Sequence, residues 1–93
     1  MRTIIFSSQY KKDLKLARKR NLPEEELNKV VFDLANDIPL DAKYRDHELL
    51  NQFKGFRECH IKPDWLLMYR KTSNGALQIL ELARTGSHSD LFG

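Results

Sequence analysis

The spacing of apolar and polar residues predicts a short strand followed by a helix at the start of the chain. The run TIIF is β-prone, and Ser7 or Ser8 after it can accept a hydrogen bond from the free amides of a helix that begins near residue 8. Tyr10, Leu14 and Ala17 recur at helical spacing. We expect these three side chains to form the buried stripe of this helix.

A second helix is predicted from the stretch NLPEEELNKVVFDLANDIPL. Asn21 can cap it, Pro23 falls in the first turn where a missing amide costs little, and three glutamates suit the positive end of the helix dipole. Pro39 is expected to end the helix, because its ring disfavours helical geometry at the preceding residue. The predicted apolar face consists of Leu27, Val30, Val31, Leu34 and Ile38.

The second half of the chain changes to the patterns of strands. Residues 41–55 have no sustained period and are predicted to be a long loop with at most a short helical turn. Alternation then places Phe56, Glu58, His60 and Lys62 on one side of a strand, with Arg57, Cys59 and Ile61 on the other. The run WLLMYRK is apolar on both sides, as in a central strand, and TSNG predicts the hairpin turn into a third strand, ALQILELART.

These elements predict the order β-α-α-β-β-β. We expect an α+β domain in which two antiparallel helices, joined by a short turn, pack on one face of an antiparallel sheet.

Length and charge narrow the class of protein further. The 93 residues support one domain over residues 1–93, and 16 basic against 13 acidic residues give a net charge of +3 that favours a polyanionic partner. Cys59 is the only cysteine, so neither an internal disulfide nor a structural zinc site of usual spacing is expected, and a reducing cytosol fits. The initial apolar run is too short for a signal peptide, and no segment reaches the ~20 apolar residues of a membrane span. A cytoplasmic protein without membrane contact is predicted.

Candidate chemistry centres on the three histidines, His47, His60 and His88. Asp64 follows the His60 strand directly, and Arg84 leaves the third strand four residues before His88, so hairpin geometry can bring these groups to one end of the sheet. A general base, a general acid and a fixed cation are what cleavage of RNA by its own 2′-hydroxyl requires. That route needs no metal or other cofactor.

The same residue types also occur in metal sites, hydrolase triads and base-stacking sites. Zinc or a redox metal could use histidine and aspartate, but no HExxH or other compact ligand motif is present. Ser87, Ser89 and Asp90 could be part of a hydrolase triad, but neither serine has the flanking glycines of a nucleophile elbow. Aromatic side chains could stack on unpaired bases; core packing is the alternative for all of them except Phe92, which lies next to the last residue. The four are Phe53, Phe56, Trp65 and Phe92.

Three segments carry a family resemblance. The DH pair at residues 46–47, the pattern H-x-x-x-D-W at residues 60–65 and the ending RTGSHSDLF together resemble the YafQ group of the RelE/ParE toxin superfamily. The resemblance covers most of the chain. It implies a RelE-like microbial RNase fold and a bacterial type II toxin: a ribosome-dependent, metal-independent endoribonuclease that enters the A site and cleaves translated mRNA.

The resemblance also assigns roles to residues. For these residues we expect Asp64 or His60 to take the 2′-hydroxyl proton, with Glu58 on the His60 strand face as a second candidate base, and His88 to protonate the 5′-oxygen. The implied catalytic set is His47, His60, Asp64, Arg84, His88 and Phe92, and the implied substrate-binding residues are Glu58, Lys62 and Trp65. The cations of the first helix could bind the phosphate backbone of ribosomal RNA, the alternative being an ordinary solvated face; they are Lys11, Lys12, Lys15, Arg18 and Lys19. Deleting residues 91–93 is expected to abolish activity with little loss of stability.

The implied partners are mRNA, the 70S ribosome and a dimeric ribbon-helix-helix antitoxin of the DinJ type. The antitoxin's C-terminal segment would wrap the toxin in a heterotetramer, and operator DNA would be contacted only through the antitoxin. The alternative is a binding module without enzymatic activity, either a ParE-like gyrase inhibitor or an inactive antitoxin-binding corepressor. Such a module needs no acid–base set, whereas His47, His60, Asp64 and His88 are all present here.

Overall fold

The computed structural model describes all 93 residues. Helices pack on a five-stranded sheet, which confirms the predicted α+β class. The elements are β1 (Thr3–Phe6), α1 (Ser8–Lys19), α2 (Glu24–Ala35), β2 (His47–Glu48), β3 (Arg57–Lys62), β4 (Trp65–Asn74), β5 (Leu77–Gly86) and α3 (His88–Phe92). Two single 3₁₀ turns, Ala42–Tyr44 and Asn51–Phe53, lie in the long connection between α2 and β3. None of the helices has the length and apolar character that crossing a membrane would require.

The strand order is β1-β5-β4-β3-β2. Strand β4 is central, as predicted, and pairs antiparallel with β3 and β5. The sheet is mixed rather than wholly antiparallel, because β1 pairs in parallel with β5, with Thr3 opposite Ile79. The two paired strands are separated by most of the chain, so their contact is not visible in any local pattern.

The core lies between the two long helices and one face of the sheet. Tyr10 and Ala17 of α1 are buried as expected, together with Leu27, Val30 and Leu34 of α2. The sheet contributes alternate residues to this core, and the residues between them, Leu66 and Met68, are buried on the other face. The sheet residues of the core are Cys59, Ile61, Trp65, Leu67, Tyr69, Leu80 and Leu82.

Helix α1 begins where the sequence predicts, and α2 differs at both ends. Ser7 caps α1, because its hydroxyl accepts a hydrogen bond from the Tyr10 amide at 2.9 Å. In α2 the N-cap is Pro23 rather than Asn21. The helix ends at Ala35, because Asp37 adopts a left-handed conformation with φ 55°. Ile38 therefore lies outside the helix and is exposed, against the prediction that it joins the apolar face.

Two further elements were not predicted. Strand β2 forms inside the expected loop by pairing with β3, and the C-terminal segment forms the short helix α3. Both elements carry a histidine, so both determine where the candidate chemistry lies.

Candidate active site

Pairing of β2 with β3 brings two of the histidines together. His47 is directly opposite Glu58 in the register, and Glu58 lies on the same strand face as His60. One Glu58 oxygen, Oε1, is 3.3 Å from His60 Nε2 and 3.7 Å from His47 Nε2, and the two imidazole rings are 6.2 Å apart. The Glu58 side chain is only 5% exposed. A buried carboxylate therefore lies between two imidazoles, where its negative charge stabilises the positive charge of an imidazolium on either side.

The ring nitrogens of His47 have distinct partners. Nδ1 lies 2.7 Å from the Arg45 carbonyl oxygen, which can only accept a hydrogen bond, so Nδ1 carries the proton and donates it. The lone pair of neutral His47 is consequently on Nε2, the nitrogen nearer to Glu58.

Helix α3 brings the third histidine to the same place. His88 is 5.6 Å from His60 between ring centroids, and its Nδ1 donates a hydrogen bond to Asp64 Oδ1 at 2.9 Å. The same carboxylate oxygen accepts the His88 backbone amide at 3.0 Å. These hydrogen bonds, the backbone one first, lower the pKa of Asp64, which makes Asp64 a weaker base. Asp64 therefore orients His88 and leaves its Nε2 available.

A set of contacts at the N-terminus of α3 explains why the chain end is ordered. The Ser87 hydroxyl accepts the Asp90 amide, and the Asp90 carboxylate accepts the Ser87 amide, which together form a capping box. Arg20 pairs with Asp90 at 2.7 Å, and its hydrogen bond together with the Ser87 amide lowers the Asp90 pKa to about 2. Gly86 is required here, since a Cβ at this position would lie 2.9 Å from the Asp90 Cβ. Because the capping box uses Ser87 and Asp90, a hydrolase triad with Ser87 as nucleophile is not supported.

Aromatic rings form the edge of the cluster next to α3. Phe92 lies 6.4 Å from the His88 ring and packs edge-on against Phe53 at 5.3 Å, yet 42% of its surface is exposed. An exposed ring beside the imidazoles can stack on a base. Leu91, in contrast, is buried, so removing residues 91–93 would also cost stability, against the expectation from the sequence.

The expected role of Trp65 in substrate binding is not supported by its position. Its side chain is 1% exposed and packs in the core, because β4 is covered on this face by the helices. Its indole Nε1 has no hydrogen-bond partner. Lys62 is at the surface at the end of β3, where its Nζ pairs with Glu26 at 2.6 Å.

Arg84 is held by a residue that the sequence analysis missed. The Asp13 carboxylate, on the inner face of α1, accepts hydrogen bonds from Arg84 Nε at 2.8 Å and Nη2 at 3.1 Å, and this pairing raises the pKa of Arg84. Arg84 forms no hydrogen bond with the three histidines. Its Nη1 remains without a partner, so one edge of the guanidinium is left for a ligand.

Asp46, which was not predicted as a site residue, fixes the segment that carries His47. The Asp46 carboxylate accepts hydrogen bonds from the Tyr69 hydroxyl and from Arg57 Nε. Burial, followed by the bond to Asp46, raises the pKa of Tyr69, which therefore stays neutral and donates. The sequence signal for this contact is the DH pair, which places a carboxylate directly before His47.

The basic residues of α1 all lie on its exposed side. Arg18 pairs with Glu24 through two hydrogen bonds of 2.8 and 2.9 Å, so its charge is compensated within the protein. The four lysines form no ion pair and remain available to a polyanion; they are Lys11, Lys12, Lys15 and Lys19.

One group in the site could hold a metal ion. The ligand atoms of His47, Glu58 and His60 all lie within 4.8 Å of one another. Two imidazole nitrogens and a carboxylate are ligands that zinc and copper accept, so these residues fit a transition-metal ion.

A family of known proteins and its individual members match this chain over almost its whole length. The family of bacterial toxins of the type II toxin-antitoxin system named YafQ matches residues 2–93. The mRNA interferase toxin YafQ of Escherichia coli K12 is 43% identical over 93 residues, which are 99% of this chain and 97% of the relative.

Two solved structures extend the comparison. The toxin in the E. coli DinJ-YafQ toxin-antitoxin complex superposes with a TM-score of 0.87 at 43% identity, covering 99% of this chain and 98% of that one. A metal-bound toxin from Helicobacter pylori has a TM-score of 0.89 at 47% identity, covering 99% and 100%.

Proposed function

We propose that this chain, which belongs to the YafQ family of bacterial type II toxins, cleaves translated mRNA in the ribosomal A site by acid–base catalysis. It is an mRNA interferase, that is, an endoribonuclease toxin. The observation that carries the mechanism is the meeting of His47, His60 and His88 beside Glu58 and Asp64, from three separate elements.

The base in this mechanism is His60. It takes the proton of a ribose 2′-hydroxyl, and Glu58, 3.3 Å away, stabilises the imidazolium that results. Asp64, the other candidate from the sequence, is a poorer choice because its pKa is lowered by His88. The 2′-oxygen then attacks the adjacent phosphorus.

The acid is His88. Its Nδ1–H donates a hydrogen bond to Asp64 and keeps its proton, so the proton that the imidazolium delivers to the 5′-oxygen is the one on Nε2. The P–O5′ bond breaks, leaving a 2′,3′-cyclic phosphate and a 5′-hydroxyl. The free edge of Arg84 stabilises the charge on the phosphorane, and Phe92 stacks on a base so that the phosphate is held in line for attack.

A metal is not part of this route. A transition-metal ion held by His47, Glu58 and His60 would supply a Lewis acid at this place. The acid–base route uses the same side chains without one. Cleavage should therefore persist when a chelator that binds transition metals but spares Mg²⁺ is added.

The proposed partners are the programmed ribosome and an antitoxin. The unpaired lysines of α1 contact ribosomal RNA, since placing a small enzyme in the A site needs contacts to a polyanion. The antitoxin is a dimeric ribbon-helix-helix protein like DinJ, which is bound to YafQ in the E. coli complex. It blocks the site in a heterotetramer and alone contacts operator DNA.

Primer extension on mRNA from cells that express the chain tests this proposal. Wild type should cut within the reading frame, and an mRNA without its start codon should stay intact. His88→Ala should cut ~100- to 10,000-fold more slowly, as expected for loss of a general acid. Intact mRNA together with damaged DNA would instead support a gyrase inhibitor, and wild-type cutting by His88→Ala would remove His88 from the mechanism.

A further inference from the structure

A cavity of about 410 Å³ lies beside the imidazole cluster and shares His60 with it. Its volume is within the range of about 300–1,000 Å³ that small-molecule sites occupy. Three cations line it, Lys43, Arg45 and Lys62, against one carboxylate, Glu26. The cavity therefore has a net positive charge next to the proposed base.

Only one of the three cations is compensated. Lys62 pairs with Glu26 at 2.6 Å, whereas Lys43 and Arg45 form no ion pair. The Lys43 ammonium lies over the ring of the buried Tyr44 at 5.1 Å from its centroid. Two cations without carboxylate partners at one cavity favour an anionic ligand.

The backbone holds these two cations in a fixed turn. Asp41 caps the 3₁₀ turn Ala42–Tyr44 by accepting the Lys43 amide at 2.9 Å. Arg45 then adopts a left-handed conformation with φ 50°, which is uncommon for a residue other than glycine. Its carbonyl accepts the His47 Nδ1 proton at 2.7 Å. The turn that presents the cations is thus bonded directly to a catalytic imidazole.

We propose that this cavity binds the nucleotide next to the scissile phosphate of the mRNA, with Lys43 and Arg45 contacting its phosphate. The inference rests on the proposed function. An RNA strand whose scissile phosphate lies among the imidazoles must continue in both directions. On the His88 side it meets the Phe92 ring, and on the His60 side it meets this cavity. A phosphate of the same strand is the anion that reaches both His60 and the two free cations.

The test is the double variant Lys43→Gln/Arg45→Gln. Neither side chain forms a hydrogen bond or ion pair with an imidazole, and the Arg45 carbonyl that holds His47 is retained. The matched control is Lys29→Gln/Lys54→Gln, which removes the same charge from positions that do not line the cavity. The probe is a short RNA with hydrogen in place of the 2′-hydroxyl at the cleavage position, because it binds without being cut.

The dissociation constant of this probe should rise roughly tenfold for each lost phosphate contact. The slope of log affinity against log salt should become shallower by about 0.7 per contact. On programmed ribosomes with cleavable mRNA, the half-saturating toxin concentration should rise while the maximal rate stays near wild type. The control variant should match wild type in both assays.

Unchanged probe affinity and an unchanged half-saturating concentration in the double variant would overturn the inference. So would weaker antitoxin binding with normal RNA binding, which would make the cavity an antitoxin contact. The binding measurement needs no cleavage. A wild type that binds the probe at this cavity but cuts no mRNA would refute the proposed function and leave the cavity assignment standing.

Discussion

Phe92 offers the clearest separation of catalytic from structural roles. Its ring lies beside His88, packs edge-on against Phe53 and remains 42% exposed. We predict that Phe92→Ala weakens RNA binding while the protein stays folded. The neighbouring Leu91 is buried and would behave in the opposite way.

The cost to the fold follows from the exposure of the ring. A fully buried phenylalanine contributes about 1.5–3 kcal/mol, so roughly half of this is about 1 kcal/mol, and the edge contact with Phe53 adds about 0.5–1.5 kcal/mol. A small domain has about 5–15 kcal/mol of stability, so the variant stays folded at 25 °C. The melting temperature should fall by about 4–8 °C for each kcal/mol lost.

The cost to RNA binding is of similar size, but it changes the affinity directly, whereas the fold has stability in reserve. Stacking of one base on an aromatic ring is worth about 1–3 kcal/mol, which corresponds to roughly a 5- to 150-fold change in affinity. The half-saturating concentration in mRNA cleavage on programmed ribosomes should rise by this factor. Phe92→Trp should restore it, because an indole stacks at least as well.

The matched control is Phe32→Ala on α2, where the ring is 55% exposed and distant in sequence from every proposed site residue. Its melting temperature should fall by a similar amount or less, with unchanged cleavage. The reasoning is refuted if Phe92→Ala cleaves with wild-type parameters. It is equally refuted if Phe32→Ala loses as much activity, because the loss would then follow stability.

Four further predictions concern the supports of the site. Asp46→Asn should destabilise the fold by about 1–3 kcal/mol in denaturant unfolding and slow cleavage, because it weakens the bonds that hold the His47 segment. Gly86→Ala should displace Asp90, weaken the cap of α3 by about 1 kcal/mol and lower activity, as measured by the same assays. Reversing the charges of Lys11 and Lys12 to glutamate should weaken ribosome binding and flatten its salt dependence, whereas unchanged binding across a salt series would make them ordinary surface residues. The Asp90 pKa is lowered from 3.8 to about 2, so the stability that its carboxylate contributes is present above pH 4 and lost as the pH falls toward 2. Asp90→Asn should therefore have a lower free energy of unfolding than wild type above pH 4, and this difference should disappear as the pH falls toward 2.

Local patterns were sufficient for much of this fold. The capping serine of α1, the apolar face of α2 apart from Ile38 and the double-sided apolar run of β4 are properties of neighbouring residues, and all three were predicted. The parallel contact of β1 with β5 and the two-residue strand β2 depend on residues distant in sequence. The pattern of a single segment contains no information about such partners.

In the candidate site too, contacts within one element were predictable from the sequence and contacts between distant elements were not. His60 and Glu58 share a strand face, so their contact follows from alternation along β3. The Asp13–Arg84 pair joins α1 to the end of β5, and nothing in the helical pattern distinguishes Asp13 from a surface aspartate. Trp65 was expected to bind substrate because it is part of a motif. A motif match does not show whether a side chain contacts the ligand or packs in the core.

The geometry links folding of the chain end to the proposed mechanism. Helix α3 has five residues, and isolated helices shorter than about 12–15 residues are marginal in water, so α3 depends on its contacts with the rest of the protein. One of these contacts is the hydrogen bond from the His88 amide to Asp64, and the same oxygen accepts the His88 ring proton. The carboxylate that holds the helix is therefore also the group that leaves Nε2 as the free ring nitrogen of His88. Because one atom accepts both hydrogen bonds, the proposed acid is oriented by Asp64 only when α3 is docked.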